Sequence, residues 1–169
     1  VVGADPSAAL FYWCSGTLSS LLDNAPAYLS FLAAMIGACV DPATVDQVNA
    51  LLRHGTAGLP GVSESVRQTA AAVHHYFPAQ SAVRQVATQH IQMACLLSDP
   101  RLALRLAALS VASVFFGGNT YIGNGPNFMV KSIADQQKAP SPTFLGYLFK
   151  WAVPVMLPLL ILEWLIFFS

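Results

Sequence analysis

Ser19, Ser20, Asp23 and Asn24 fall within six residues of one another, and Gly118, Asn119, Thr120, Asn124, Gly125 and Asn127 within ten. Both groups interrupt apolar stretches. Hydroxyl, amide and backbone carbonyl oxygens are ligands for a hard cation. The one acid among them, Asp23, stands alone between Asp5 and Asp41. Held away from water, an isolated carboxylate costs several kcal/mol to ionise, so its protonated form comes within physiological reach. Such a group holds a cation or a proton but hardly both, and that exclusivity is the physical core of cation/proton exchange. Two plainer readings stay open. Asp23 can cap a helix beginning at Pro26, and the Gly-rich stretch can be a kink for close helix packing. Two breaks in one chain weigh toward a transport site, because lipid-embedded backbone is broken chiefly where it lines one.

The elements that carry these residues belong to a bilayer. Of 169 residues, 55% are hydrophobic and 9% charged, against roughly 25% charged in soluble domains; the mean hydropathy is +0.56. Zero net charge argues against nucleic acid as a partner. Cys14, Cys39 and Cys95 have no metal-ligand spacing, and Cys14 and Cys39, in apolar stretches, read as small buried membrane residues. The opening Val1–Pro6 is not a signal peptide, and the chain is expected to be a C-terminal piece of a longer protein.

Residues 1–40 read as a re-entrant hairpin. Its apolar arms, Ala8–Leu22 and Ala27–Val40, are each about 15 residues, short of the ~20 needed to cross. One crossing helix broken at Asp23–Pro26 is the alternative. Residues 41–100 form an extramembrane helical insert, opened by the Asp41-Pro42 start signal. Its helices are expected at Ala43–His54, Ser63–Tyr76 and Ser81–Leu97, with a Gly/Pro loop at Gly55–Gly61. Arg53, Arg67, Arg84, Asp46, Glu64 and the histidines keep it out of hydrocarbon. Residues 101–135 read as a transmembrane helix unwound at Gly117–Gly125, and 143–169 as a membrane helix kinked at Pro154 and Pro158, with Trp151 and Trp164 at interfaces. Lys131, Lys138 and Lys150 against Asp135 alone put the connection between the last two helices on the cytoplasmic side.

Leu22-Asp23-Asn24-Ala25-Pro26-Ala27-Tyr28 and Asn119-Thr120-Tyr121-Ile122-Gly123-Asn124-Gly125-Pro126-Asn127-Phe128-Met129-Val130-Lys131 resemble the second-repeat signatures of bacterial sodium/proton antiporter-like proteins. These belong to the ion transporter superfamily, with citrate and dicarboxylate carriers and arsenite pumps. The resemblance covers residues 8–40 and 101–169 and leaves the insert out. It implies an all-α polytopic membrane fold of inverted repeats, each pairing a re-entrant hairpin with an unwound helix, of which this chain holds one. The hairpin tip would match Ser19–Ala25 and the unwound helix Gly117–Asn127. The superfamily's carboxylate carriers use a Ser-Asn-Thr type of tip; Asp23-Asn24-Ala25 here favours the antiporter branch.

The expectation is therefore a secondary transporter of the bacterial inner membrane, most simply a sodium/proton antiporter. Asp23 would exchange the proton. Ser19, Ser20, Asn24, Gly118, Asn119, Thr120, Asn124, Gly125 and Asn127 would line the site. Sodium is the transported ion, and no other metal or cofactor is expected. The partners are sodium, protons, the lipid bilayer and the missing N-terminal repeat, with a homodimer one arrangement open to it. A sodium-coupled citrate or dicarboxylate carrier is the runner-up, and a non-transporting subunit with packing-only breaks the third reading. His74-His75 lack ligand partners for a metal. Lys131 reads as an interfacial anchor, with anion attraction the alternative, and Glu163 as an interfacial residue beside Trp164 or a second proton carrier. No His lies in the apolar stretches to activate a serine, which sets enzyme activity aside.

Overall fold

The computed structural model describes residues 7–54, 61–82 and 86–168, and every regular element among them is helical. In order these are α1 (Ala8–Ser19), α2 (Asn24–Cys39), α3 (Pro42–His54), α4 (Glu64–Tyr76), α5 (Pro78–Ala82), α6 (Thr88–Ser98) and α7 (Pro100–Phe115). A 3₁₀ turn (Phe116–Asn119) continues α7. Then come α8 (Gly125–Gln136), α9 (Phe144–Tyr147), a π-helical stretch (Leu148–Met156) and α10 (Leu157–Phe167). Among the described residues, two helices are long and apolar enough to cross a membrane: Pro100–Asn119, with 20 residues, and Phe144–Phe167, with 24. α2 and α3 pass the same test together but bend by 88° at their junction, and would make a third if one span. The chain divides into two compact units, Ala33–Ala103 on one hand and Val1–Leu32 with Leu104–Ser169 on the other.

The 33–103 unit is built by helical spacing. Val45 and Val48 of α3, with Val66, Ala70 and Val73 of α4 and Ile91 and Ala94 of α6, close into one apolar core. Asp41 starts α3 by accepting the N–H groups of Ala43 (3.2 Å) and Thr44 (3.0 Å) and the Thr44 hydroxyl (2.9 Å). Those bonds hold its carboxyl below the usual carboxylate range. Ser63 caps α4 through the Val66 N–H. Glu64, Arg67, His74 and His75 stay exposed. One helix is not where the sequence puts it. The run expected at Ser81–Leu97 is two pieces, α5 opening on Pro78 and α6 starting at Thr88 behind an Ala87 that makes no side-chain cap. The Gly55–Gly61 loop, apart from Gly61, and Arg84 lie outside the described residues.

In the other unit Tyr12 is fully buried. Its ring meets those of Trp13 at 5.1 Å, Phe116 at 5.4 Å, Trp164 at 5.3 Å and Phe168 at 5.5 Å. Small residues make the room: Ala108 and Ala112, one turn apart on α7, join the cluster, and a Cβ at Gly16 would stand 2.6 Å from the Phe116 ring. Cys14, expected inside, faces outward on α1. The last helix takes up its proline by widening. Pro154 has no N–H to give, and Leu148–Met156 runs in the π register around it. α8 closes with Lys138 at φ 53° and a bond from Ala139 N to Ala134 O (2.9 Å), a Schellman-type end.

Candidate functional site

Each break has a local cause. α1 stops at Ser19, and α2 starts at Asn24 rather than at Pro26, because the Asp23 carboxylate accepts the Asn24 N–H at 2.8 Å. Pro26 then falls in the first turn, where its missing N–H costs nothing. On the second break α7 tightens into the 3₁₀ turn, and Thr120 leaves it in extended conformation (φ −136°, ψ 165°). The Thr120 hydroxyl accepts the N–H groups of Ile122 (3.2 Å) and Gly123 (3.0 Å) and donates to the Ser20 carbonyl.

That last bond joins the two breaks, and others follow it. Asn119 Nδ2 donates to Ser20 Oγ at 3.2 Å, and Ser20 Oγ donates to the Phe116 carbonyl at 3.0 Å. Ser19 Oγ donates to the Ser113 carbonyl. The Asn24 amide is surrounded by oxygens, Ser113 O at 2.9 Å and Gly123 O and Ser19 Oγ at 2.8 Å, so its nitrogen faces them as donor. Two glycines allow the approach. A Cβ at Gly123 would stand 2.5 Å from Ser19 O and 3.0 Å from Ser20 O and Gly117 O; one at Gly117 would fall on the Asn24 amide and 2.7 Å from Gly123 O. The result is a knot of neutral oxygens and amides in which Ser19 and Thr120 are buried.

Of the residues expected to line a site, the fold gathers Ser19, Ser20, Asn24, Asn119 and Thr120. Asp23 is exposed and turned to its capping bond. Gly118 offers its carbonyl to the Tyr147 hydroxyl at 3.0 Å. Asn124 Oδ1 is buried with no partner, and Gly125 opens α8 with nothing within 4 Å of a Cβ built there. Asn127 lines a separate cavity of about 310 Å³ with Tyr121, Lys131 and Tyr147. There the Lys131 ammonium is held by both Asp135 oxygens and by Ser141 at 2.9 Å, so its charge is spent locally.

Ser113 lies outside both expected breaks, and Gly117 and Gly123 lie inside the expected Gly117–Gly125 break without having been named among the residues of the site. Ser113 supplies a carbonyl to the knot, while its own Oγ is buried without a partner. A second cavity, about 430 Å³, is lined by Asn24, Ala25, Tyr28, Ser110, Ser113 and Val114. Chemically, the arrangement presents uncharged oxygen ligands beside a cavity with three hydroxyls and an amide. It holds no charged side chain. No group of three or more His, Cys, Asp or Glu side chains able to hold a metal occurs among the described residues.

A family model described as "Putative citrate transport" matches residues 2–168. No curated protein matches the chain, and no solved structure does.

Proposed function

The chain belongs to that citrate-transport family, and on this premise we propose that it is part of a sodium-coupled carrier of citrate-like carboxylates. The family and the apolar helices make it a multi-pass membrane transporter. The finer reading rests on one observation: the gathered groups of the two breaks are neutral. Ser19, Ser20 and Asn119, with the carbonyls packed around Gly123, are oxygen ligands suited to a hard cation, while the Thr120 oxygen is fully taken by the Ile122 and Gly123 N–H groups and holds the backbone about them. The neighbouring cavity, with Tyr28 and Ser113, offers hydroxyl donors to a carboxylate, while the Ser110 hydroxyl is given to the Leu106 carbonyl at 2.8 Å. An ionised carboxylate in the knot would repel that substrate, and Asp23 points elsewhere. Sodium, the bilayer and an N-terminal repeat are the partners this reading requires, and a bacterial inner membrane is its proposed setting.

Sodium/proton antiport is the second reading, favoured by the position of Asp23 immediately beside Asn24 of the knot. Reconstituted full-length protein separates the two. A sodium gradient should drive labelled citrate into liposomes. Asn24→Ala should raise the sodium concentration needed by about fivefold or more, because losing its donor to buried carbonyls costs about 1–3 kcal/mol. Asp23→Asn should leave citrate uptake within about twofold, as an exposed cap bond is worth little more than that. Sodium-evoked proton movement that needs no citrate and vanishes in Asp23→Asn would put the antiporter first. Neither activity in folded protein would sink both readings.

A further inference from the structure

The second break takes one carbonyl away from its helical donor. In an unbroken α-helix the Gly118 oxygen would accept the N–H of Ile122, four residues on. That N–H is spent on the Thr120 hydroxyl at 3.2 Å. The Gly118 oxygen takes a hydrogen from outside the segment instead, from the Tyr147 hydroxyl at 3.0 Å. Tyr147 also lays its ring on that of Tyr121, with centroids 4.5 Å apart and planes 29° from parallel. Its own backbone is anchored, since Thr143 caps α9 and the Thr143 carbonyl takes the Tyr147 N–H at 2.8 Å. We infer that Tyr147 is a positioning residue for the transport site, setting the place of Asn119 through the Gly118–Asn119 peptide.

The linkage is covalent and short. The Gly118 carbonyl and the Asn119 N–H share one planar unit, so a donor that holds the oxygen fixes the plane from which the Asn119 side chain departs. Asn119 Nδ2 gives a hydrogen to Ser20 Oγ at 3.2 Å, which leaves Oδ1 to serve as a ligand oxygen. Affinity for a hard cation depends on the number of such oxygens and on how rigidly they are held. Tyr147 supplies the rigidity without being a ligand itself, because its hydrogen and its ring are both engaged with the break.

The other side of the knot is tied to the same helix. The Tyr12 hydroxyl of α1 is shared between the Leu160 carbonyl oxygen and Oε2 of Glu163, each at 2.9 Å, and α1 ends in Ser19, with Ser20 as its C-cap. The Phe144–Phe167 helix thus braces both breaks, one through Tyr12 and one through Tyr147. The inference rests on the sodium-coupled reading and gives that site a residue from outside both breaks.

The test is sodium-driven uptake of labelled citrate by the full-length protein in liposomes. Tyr147→Phe keeps the ring on Tyr121 and removes only the hydroxyl. The sodium concentration for half-maximal uptake should rise about two- to tenfold, the worth of one neutral hydrogen bond, with the maximal rate held within about twofold. The preference for sodium over lithium should change with it. A residue that merely stabilised the fold would lower the maximal rate, through the amount of active carrier, at an unchanged sodium requirement; that result would overturn the inference. Should Tyr147→Phe give no folded protein, 3-fluorotyrosine in place of Tyr147 alone, a stronger donor of nearly the same shape, should lower the half-saturating sodium concentration, and an unmoved value would overturn the inference. Wild-type uptake that ignores sodium would overturn the sodium reading and this inference together. A sodium-dependent wild type with an unshifted Tyr147→Phe would overturn the inference alone.

Discussion

The two units of this chain are built inside out with respect to each other. In the 33–103 unit valines, alanines and Ile91 are buried while Glu64, Arg67, His74 and His75 are outside. In the other, Ser15, Ser19, Ser113 and Thr120 are buried while Leu29, Phe128, Val130, Trp151 and Ile166 are more than half exposed. Among the described residues of the first unit, Tyr76 is the one large apolar residue exposed. The difference is the one that two different surroundings would produce. Where water is outside, burying apolar groups stabilises and every polar group can be hydrated. Where hydrocarbon is outside, apolar side chains gain nothing by hiding, and backbone broken out of a helix must find its partners within the protein. The knot does that for both breaks at once.

The contrast can be broken on either side. Gly123→Ala should have the largest effect on transport, because the added methyl meets backbone carbonyls that cannot rotate away. Overpacking of this kind costs about 1–3 kcal/mol, which is about 5- to 150-fold in sodium affinity, read from the sodium dependence of uptake. The helical signal of the 33–103 unit should be unmoved. Ile91→Ala should do the reverse: about 2–5 kcal/mol of stability lost from that core, read by thermal melting, with the sodium dependence unchanged. If Ile91→Ala abolished sodium dependence while the protein stayed folded, the separation drawn between the units would fail.

Acid sharpens the comparison further and is the smallest effect. Asp41 has a folded pKa below its unfolded one, so its stabilising contribution is complete above the unfolded value and drains away as pH falls through the lowered folded value. Thermal melts of the 33–103 helices should therefore drop on acidification. Asp41→Asn should flatten that slope, leaving the 12–163 aromatic cluster untouched as read by tryptophan fluorescence at neutral pH.

Much of the helical framework was legible because its signals are local. Asp41-Pro42 and Asp99-Pro100 announce helix starts, and Asp99 does cap through the Arg101 N–H at 2.7 Å. Length and apolarity alone mark 144–167 as able to cross. The break at Val86 and Ala87 was not legible, since no Gly or Pro stands between Ser81 and Leu97 to announce it. In the site, Ser19, Ser20, Asn24, Asn119 and Thr120 were visible as polar residues in apolar runs. What hid Ser113, Gly117 and Gly123 is that their contribution is backbone: a carbonyl or the lack of a Cβ, which matters only once two distant segments meet. Asp23 drew attention by its charge, yet a short side chain directly before a helix is easily taken by the nearest free N–H, and here it is.

The wide turn at Leu148–Met156 sets the phase of everything after it. An α-helix advances about 100° per residue, so a single residue gained or lost upstream turns the whole downstream face by that angle. Leu160, Glu163 and Trp164 meet Tyr12 only because the π register around Pro154 delivers them at the right azimuth. The turn acts as a vernier between the two ends of the last helix: its cytosol-or-exterior ends are fixed by length, while which residues look inward is decided by one widened ring.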